Sequence, residues 1–216
     1  MILFSGLIYW LYQKVSLARQ RSDELLLNIL PAETAEELKS RGHTTAKSHE
    51  NVAIMFTDFE GFSKIAQELN PHDLVTSIDF YFKKFDQISS KYQLEKIKTI
   101  GDSYLAASGL GQSNRDESNI VKAALEMQSF VNQMLEAPSN EISQPFPMRI
   151  GIHLGPVVAG VVGVKKFQYD IWGNTVNVAS RIESSSIAGR VAISESLYQK
   201  IQSNKALNLR KERKLK

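Results

Sequence analysis

Short strand-like runs alternate with helical patterns along most of this chain, and that alternation constrains the fold more than any other feature. Apolar runs of strand length occur at 52–56, 97–100, 104–107, 148–154, 169–172 and 190–193. Helical spacing of apolar residues occurs between them at 74–88, 120–134, 174–184 and 195–201. We therefore expect one α/β (α+β) domain in which helices cover a mixed sheet.

An apolar run over 1–11 precedes these patterns and is followed by the basic residues Lys14, Arg19 and Arg21. The run is too short for a complete transmembrane helix, which needs about 20 apolar residues. Two interpretations stay open. The run is either the inner end of a truncated span, with the positive charges on the cytoplasmic side of a membrane, or part of a soluble coiled-coil segment.

The segment 12–50 is expected to be a helical linker ahead of the domain. Pro31 ends its first helix, and Gly42 ends a second, shorter one. The polar residues 43–50 predict an irregular connection, and the domain itself is expected over 51–201.

Composition excludes several classes of function. The chain has 43% hydrophobic and 23% charged residues, as ordinary globular proteins do, and it has no cysteine. Disulfides, thiolate metal sites and cysteine nucleophiles are therefore excluded. The formal net charge is only +3, and no nucleic-acid-binding module is recognisable. Much of the positive charge falls in a tail over 202–216, at Arg210, Lys211, Arg213, Lys214 and Lys216.

Two aspartates follow predicted strands at positions that suit a metal site. Asp58 comes directly after the first strand of the domain, and Asp102 occupies the Gly101-Asp102 turn of a predicted hairpin. Each aspartate taken alone is explained better as a residue that caps a helix or turns the chain. In a ferredoxin-like βαβ–βαβ arrangement, however, the first strand and the hairpin lie side by side, so the carboxylates would converge. Paired carboxylates are suited to Mg²⁺ or Mn²⁺.

Two further groups of residues suit a nucleotide. The turn 59–63 opens a helix, whose first backbone N–H groups favour phosphate. Asn177 and Arg181 are four residues apart on one face of a predicted helix, where an amide and a guanidinium suit a ribose and a polyphosphate, although a solvated face explains them as well. The chain has no P-loop signature and no Rossmann fingerprint.

Taken together, these segments resemble the class III adenylyl/guanylyl cyclase catalytic domain. The resemblance lies in 52–63 (VAIMFTDFEGFS), 95–104 (EKIKTIGDSY) and 169–181 (YDIWGNTVNVASR), and it spans about 51–201. It implies a ferredoxin-like cyclase core, preceded by a helix that passes a signal from a membrane or sensor segment. The catalytic domain would then be cytoplasmic, at the inner face of a membrane.

The resemblance also implies roles for individual residues. Asp58 and Asp102, with the Phe59 carbonyl, match the ligands of two divalent cations, Mg²⁺ or Mn²⁺. The turn through Phe59, Gly61, Phe62 and Ser63 matches the segment that holds the triphosphate.

Base recognition is implied for a second set of residues. Lys98 and Asp170 match the pair that reads adenine, and Ile171 belongs to the same pocket. Guanylyl cyclases resemble this segment but carry Glu at the position of Lys98, so the resemblance favours ATP.

Asn177 matches the residue that orients the ribose, and Arg181 matches the residue that stabilises the phosphoryl charge in the transition state. The implied reaction converts ATP to 3′,5′-cyclic AMP and pyrophosphate by in-line attack of the ribose 3′-oxygen on the α-phosphorus. The family builds its site between two domains, and this chain has both residue sets, so we expect a homodimer.

One departure from the family pattern is expected at the end of the sequence. The family usually has a terminal hairpin with a glycine-flanked lysine that contacts the triphosphate, and this hairpin is not found in 202–216. The alternatives to an adenylyl cyclase are therefore a regulatory cyclase-fold domain that binds a nucleotide or a partner without turnover and, less favoured, a guanylyl cyclase.

Overall fold

The computed structural model describes residues 2–111, 116–142, 144–163, 166–203 and 207. The chain divides into two compact units, one of Met1–Ala46 with Gly160–Asp170 and one of Lys47–Ala159 with Ile171–Lys216. The predicted basic tail over 202–216, with all five of its named basic residues, falls almost entirely outside the described residues.

The first unit contains two N-terminal helices, α1 (Ile2–Leu27) and α2 (Ala32–Arg41). Pro31 was predicted to end a helix that begins near Tyr12, whereas α1 begins at Ile2, includes the apolar run and ends at Leu27. Gly42 ends α2 as predicted: its φ is +74°, and its N–H donates to the Leu38 carbonyl at 2.9 Å. None of the helices in the described residues is both long and apolar enough to span a membrane.

The second unit holds most of the sheet and its covering helices. Its elements are β1 (Lys47–Phe59), α3 (Phe62–Glu68), α4 (Pro71–Lys91), β2 (Glu95–Ile100), β3 (Ser103–Ser108), α5 (Ser118–Glu136), α6 (Asn174–Ser184), β6 (Val191–Ile193) and α7 (Glu195–Ile201). Two strands, β4 (Met148–Val162) and β5 (Gln168–Trp172), include residues of both units.

Within the described residues, six strands form one sheet in the order β2-β3-β1-β4-β5, with β6 beside β4. β1 is antiparallel to both β3 and β4, whereas β6 is parallel to β4. The sheet is mixed and carries helices, so the predicted fold class is confirmed, as is the pairing of the first strand with the hairpin.

The structure corrects two strand boundaries. The predicted connection 43–50 is already strand from Lys47, because the start of β1 pairs with Val157–Ala159 of β4. β4 in turn runs eight residues beyond the predicted end at Leu154. Both extensions depend on pairing between distant segments, which periodicity within one segment does not reveal.

The core lies between the sheet and helices α4 and α5. Aromatic side chains from β1, α4 and the loop before β4 pack together there, and the ring of Phe59 lies 5.0 Å from that of Tyr81 and 5.3 Å from that of Phe146. Burial of an aromatic side chain of this kind stabilises the fold by about 1.5–3 kcal/mol. This packing fixes the end of β1, where Asp58 lies next to Phe59.

Candidate active site

Asp58 lies at the end of β1, with both carboxylate oxygens held by the two neighbouring strands. Ser103 Oγ, at the start of β3, donates to Asp58 Oδ1 at 2.8 Å. Arg149 Nη2, on β4, donates to Asp58 Oδ2 at 2.8 Å. The Asp58 side chain remains 23% exposed, so the carboxylate is oriented by its neighbours and still open to a ligand.

Asp102 lies beside Asp58, as the sequence predicted. It occupies the tight turn between β2 and β3, where Gly101 adopts a φ of +61°. Burial raises the pKa of Asp102, and the negative charge of Asp58 and a hydrogen bond between the two side chains raise it further. Hydrogen bonds with the backbone of Asp102 and Phe59 act in the opposite direction. The two carboxylates therefore converge, with Arg149 paired to that of Asp58.

This pair of carboxylates fits divalent cations. No group of three or more His, Cys, Asp or Glu side chains in the part of the chain that the structure describes could hold a metal ion without other donors. Mg²⁺ commonly binds through one or two carboxylates together with substrate phosphates and water, so two aspartates suffice. The repulsion between Asp58 and Asp102 is the kind of strain that cations would relieve.

The hairpin that carries Asp102 is anchored to α4 by a buried tyrosine. Tyr104 Oη donates to Asp86 Oδ1 at 2.8 Å and lies 3.1 Å from Ser89 Oγ. Lys96, on the other strand of the hairpin, donates to Asp86 Oδ2 at 2.8 Å. Burial raises the pKa of the Tyr104 hydroxyl above its ordinary value, which keeps it protonated as a donor.

Sequence reasoning missed an ion-paired triad behind Asp58. Arg149 faces Asp58 across the β1–β4 pairing, and its Nε lies 3.1 Å from Oε1 of Glu183 on α6. Burial is the main cause that raises the pKa of Glu183, and the Asp58 charge adds to it, while Arg149 lowers it. The sequence signal was an arginine within an otherwise buried strand, where Met148, Ile150 and Ile152 are fully buried.

The predicted triphosphate turn leads into α3, and its role stays a prediction. Gly61 adopts a φ of +74° and precedes α3, so the chain turns there with little steric cost. Phe62 packs its ring 5.7 Å from Phe146, which secures the start of the helix. Ser63 is exposed. The Phe59 side chain is buried in the core, and its carbonyl as a metal ligand stays a prediction.

The predicted base-reading residues lie on two strands. Lys98 is half-buried on β2, directly after a register irregularity in the β2–β3 pairing. Asp170 is half-buried on β5, and Ile171 next to it is 3% exposed. The roles of all three residues stay predictions.

Asn177 and Arg181 lie on α6 with exposed side chains. The opposite face of that helix, formed by Thr175, Ala179, Ile182 and Glu183, is buried. The same helix thus places Glu183 beside Arg149 of its own chain and leaves Asn177 and Arg181 exposed.

Comparison with known proteins places this architecture in a family. A model described as the adenylate and guanylate cyclase catalytic domain matches residues 44–216. An adenylate cyclase of Mycobacterium tuberculosis is 38% identical over 192 residues, 88% of this chain and 42% of the relative. Human guanylyl cyclase C is 38% identical over 182 residues, 82% of this chain and 17% of the relative. The chain therefore spans less than half the length of these curated relatives.

Solved structures of cyclase catalytic domains are similar to the chain. The catalytic core of a rhodopsin-guanylyl cyclase with converted specificity, in complex with ATPαS, matches with a TM-score of 0.68 and 34% identity over 74% of this chain and 85% of that one. The adenylyl cyclase CyaB from P. aeruginosa matches with a TM-score of 0.67 and 27% identity over 74% of this chain and 84% of that one.

Proposed function

This chain belongs to the adenylate and guanylate cyclase catalytic domain family, and we propose that it converts ATP to 3′,5′-cyclic AMP and pyrophosphate as a homodimer. The observation that carries the proposal is the convergence of Asp58 and Asp102 at the end of β1. Family membership supports a nucleotide cyclase, and the choice of ATP rests on individual residues.

Asp58 and Asp102 are proposed to hold two divalent cations, Mg²⁺ or Mn²⁺, with the Phe59 carbonyl as a further ligand. When bound, such cations would activate the attacking ribose 3′-oxygen and stabilise the departing pyrophosphate. The chain itself supplies fixed carboxylate positions, since Ser103 and Arg149 each donate to one oxygen of Asp58. The turn at Gly61, with Phe62 and Ser63, would direct backbone N–H groups toward the triphosphate.

Hydrogen-bond polarity supports ATP as the substrate. Adenine carries an amino group that donates where guanine carries a carbonyl oxygen that accepts. The carboxylate of Asp170 would accept from the adenine amine but would face the guanine oxygen with like polarity. Lys98 would donate to a ring nitrogen of adenine, and the buried Ile171 would contact the base.

The exposed positions of Asn177 and Arg181 support a site that a second copy completes. Each copy would supply Asp58 and Asp102 to one site and Asn177 and Arg181 to the other, as a closed two-fold dimer requires. Asn177 would orient the ribose, and Arg181 would stabilise the charge that develops on the phosphoryl group. Positioning and electrostatics would thus provide most of the rate.

The N-terminal helices are proposed to transmit a signal to the catalytic domain from a membrane or sensor segment. Exposed apolar side chains on α1 support this proposal, because they are available to contact another segment. At least half of each side chain is exposed at Tyr9, Trp10, Tyr12 and Val15, at 65%, 51%, 70% and 66%. The proposed boundaries are 12–50 for the transducing segment and 51–201 for the catalytic domain, which would lie on the cytoplasmic side.

The test measures product formation from ATP and GTP separately, with Mn²⁺ or Mg²⁺, over a wide range of protein concentration. We expect cyclic AMP from ATP, little cyclic GMP, and specific activity that rises with protein concentration. Predominant cyclic GMP would assign the chain to the second candidate, a guanylyl cyclase, which the equal identity of the human guanylyl cyclase C supports. No product with either nucleotide would refute the proposed catalytic activity.

A further inference from the structure

We infer that Glu183 is a positioning residue for the metal site, holding the Arg149 guanidinium so that Arg149 orients the Asp58 carboxylate. The inference rests on the proposed function, because it concerns the proposed metal ligand. Glu183 is not proposed to contact a reacting atom. It acts only through Arg149, from a helix that is remote from Asp58 in sequence.

The geometry connects three elements through one guanidinium. Arg149 Nη2 lies 2.8 Å from Asp58 Oδ2, and Arg149 Nε lies 3.1 Å from Glu183 Oε1. The second contact is an ion pair without hydrogen-bond alignment, and neither Arg149 Nε nor Glu183 Oε1 has a hydrogen-bond partner among the described residues. Arg149 is therefore held between two carboxylates, one on β1 and one on α6.

Glu183 is held in place by burial, a hydrogen bond and close backbone packing. Its side chain is only 7% exposed, and Ser184 Oγ lies 3.0 Å from its second carboxylate oxygen as a donor. Its backbone packs directly on Gly151 of β4, where a Cβ on the glycine would lie 2.1 Å from the Glu183 nitrogen. The glycine thus permits α6 to approach the sheet closely enough for Glu183 to reach Arg149.

The charges determine the direction of the effect. A buried carboxylate is strongly unfavourable unless it is paired, so Glu183 and Arg149 stabilise each other in place. If Glu183 is neutral, Asp58 is the one remaining anionic partner of Arg149 in the triad. The Arg149 guanidinium would then compete with a cation for the Asp58 oxygens. This competition weakens cation binding.

The experiment measures Mn²⁺ binding to the full chain by electron paramagnetic resonance, with the metal alone. We expect Glu183→Gln, which keeps the side-chain shape, to weaken Mn²⁺ binding about tenfold, in the range seen for outer-shell partners of metal ligands. Glu126→Gln is the control, because it also neutralises a carboxylate in an ion pair, with Lys91 at 2.6 Å, and lies outside the triad and the proposed metal site. Its effect should stay within about threefold.

A double-mutant cycle separates positioning from a simple change of charge. If Glu183 acts through Arg149, then Glu183→Gln should have no further effect on Mn²⁺ binding in an Arg149→Met background. Additive effects, or unchanged binding in Glu183→Gln alone, would overturn the inference. Should Glu183→Gln fail to fold, Glu183→Asp provides the test, because it keeps the negative charge opposite Arg149 and shortens the side chain by one methylene: weaker Mn²⁺ binding is expected, and unchanged binding would overturn the inference.

The outcome for the unsubstituted chain distinguishes the two proposals. Mn²⁺ binding by the wild type with no change in Glu183→Gln rejects the positioning role and leaves the proposed function intact. Absence of Mn²⁺ binding by the wild type at millimolar metal contradicts the proposed metal site, and the role of Glu183 with it. Turnover assays then provide a second readout, in which the Mn²⁺ concentration for half-maximal activity should rise with the dissociation constant.

Discussion

Arg149 Nη2 lies 2.8 Å from Oδ2 of Asp58, directly opposite it in the β1–β4 pairing. The proposed metal ligand is thus held by an arginine of its own chain before any cation binds. Ser103 holds the other oxygen, so the Asp58 carboxylate has one donor on each side. Asp102, by contrast, is half-buried beside Asp58, and burial raises its pKa. The two aspartates are therefore held in different ways.

Replacement of Asp102 should stabilise the metal-free protein. Between the ordinary pKa of a carboxyl group and the raised pKa of Asp102, the folded state binds more protons than the unfolded state, so this residue lowers stability as pH rises through that window. We expect Asp102→Asn to raise the metal-free Tm at neutral pH by roughly 1–2 °C, after allowance for solvent screening. Thermal unfolding with and without Mn²⁺ tests this.

The control for that experiment is Asp79→Asn, because Asp79 is exposed on α4 and pairs with Lys83 at 2.6 Å. It should leave the Tm nearly unchanged or lower it slightly. Mn²⁺ should stabilise the wild type and Asp79→Asn but not Asp102→Asn. A lower Tm for metal-free Asp102→Asn would show that repulsion between the aspartates does not limit stability.

Mixing two inactive variants should restore activity if the site is shared between copies. Asp58→Ala and Arg181→Ala should each abolish turnover in a homodimer. In an equimolar mixture with random pairing, half of the dimers carry one intact site out of two, so about a quarter of wild-type activity should return. Cyclic AMP formation measures this, and an inactive mixture whose heterodimers are verified would contradict a shared site.

Substitution of Asp170 should weaken the discrimination between bases. The amide of Asp170→Asn can both donate and accept, so it would tolerate the guanine oxygen that a carboxylate repels. We expect kcat/KM for ATP to fall by about 10–100-fold and the ratio of cyclic GMP to cyclic AMP to rise. Product analysis with equal concentrations of both nucleotides measures the ratio. An unchanged ratio would remove Asp170 from base recognition.

The contact of α6 with β4 should not tolerate a single added methyl group. A Cβ at Gly151 would lie 2.1 Å from the backbone nitrogen of Glu183 and 2.5 Å from its Cα, and neither backbone atom can move independently. We expect Gly151→Ala to destabilise the domain by about 3 kcal/mol or more. Gly6→Ala is the control, since nothing lies within 4 Å of a Cβ at that position. Denaturant unfolding compares the two variants.

The anchor of the β2–β3 hairpin should contribute measurably to stability. Tyr104→Phe removes the buried hydroxyl between Asp86 and Ser89, so we expect a loss of about 1–2 kcal/mol. Tyr92→Phe is the matched control, because its hydroxyl contacts Glu126 at the surface at 2.8 Å, and it should cost less than about 0.5 kcal/mol. Equal losses in the two variants would assign no special role to the Tyr104 network.

Local patterns in the sequence were sufficient to predict several elements and the turn that carries Asp102. The predicted helices over 174–184 and 195–201 have the same bounds in the structure, as α6 and α7. Capping and periodicity act within about one helical turn or one strand, so a short window of sequence contains them. The turn at Gly101 was predicted for the same reason, since glycine tolerates a positive φ.

The residues that surround Asp58 come from segments that are distant in sequence. The hydrogen bond from Arg149 to Asp58 joins residues 91 positions apart, and Glu183 reaches Arg149 from a third element. The register of β1 on β4 depends on how two long strands pair and bury their faces together, and a shift of one residue would point Arg149 to the opposite side of the sheet. The sequence alone thus predicted which side chains could do the chemistry, while strand register and helix packing set how Asp58 is held.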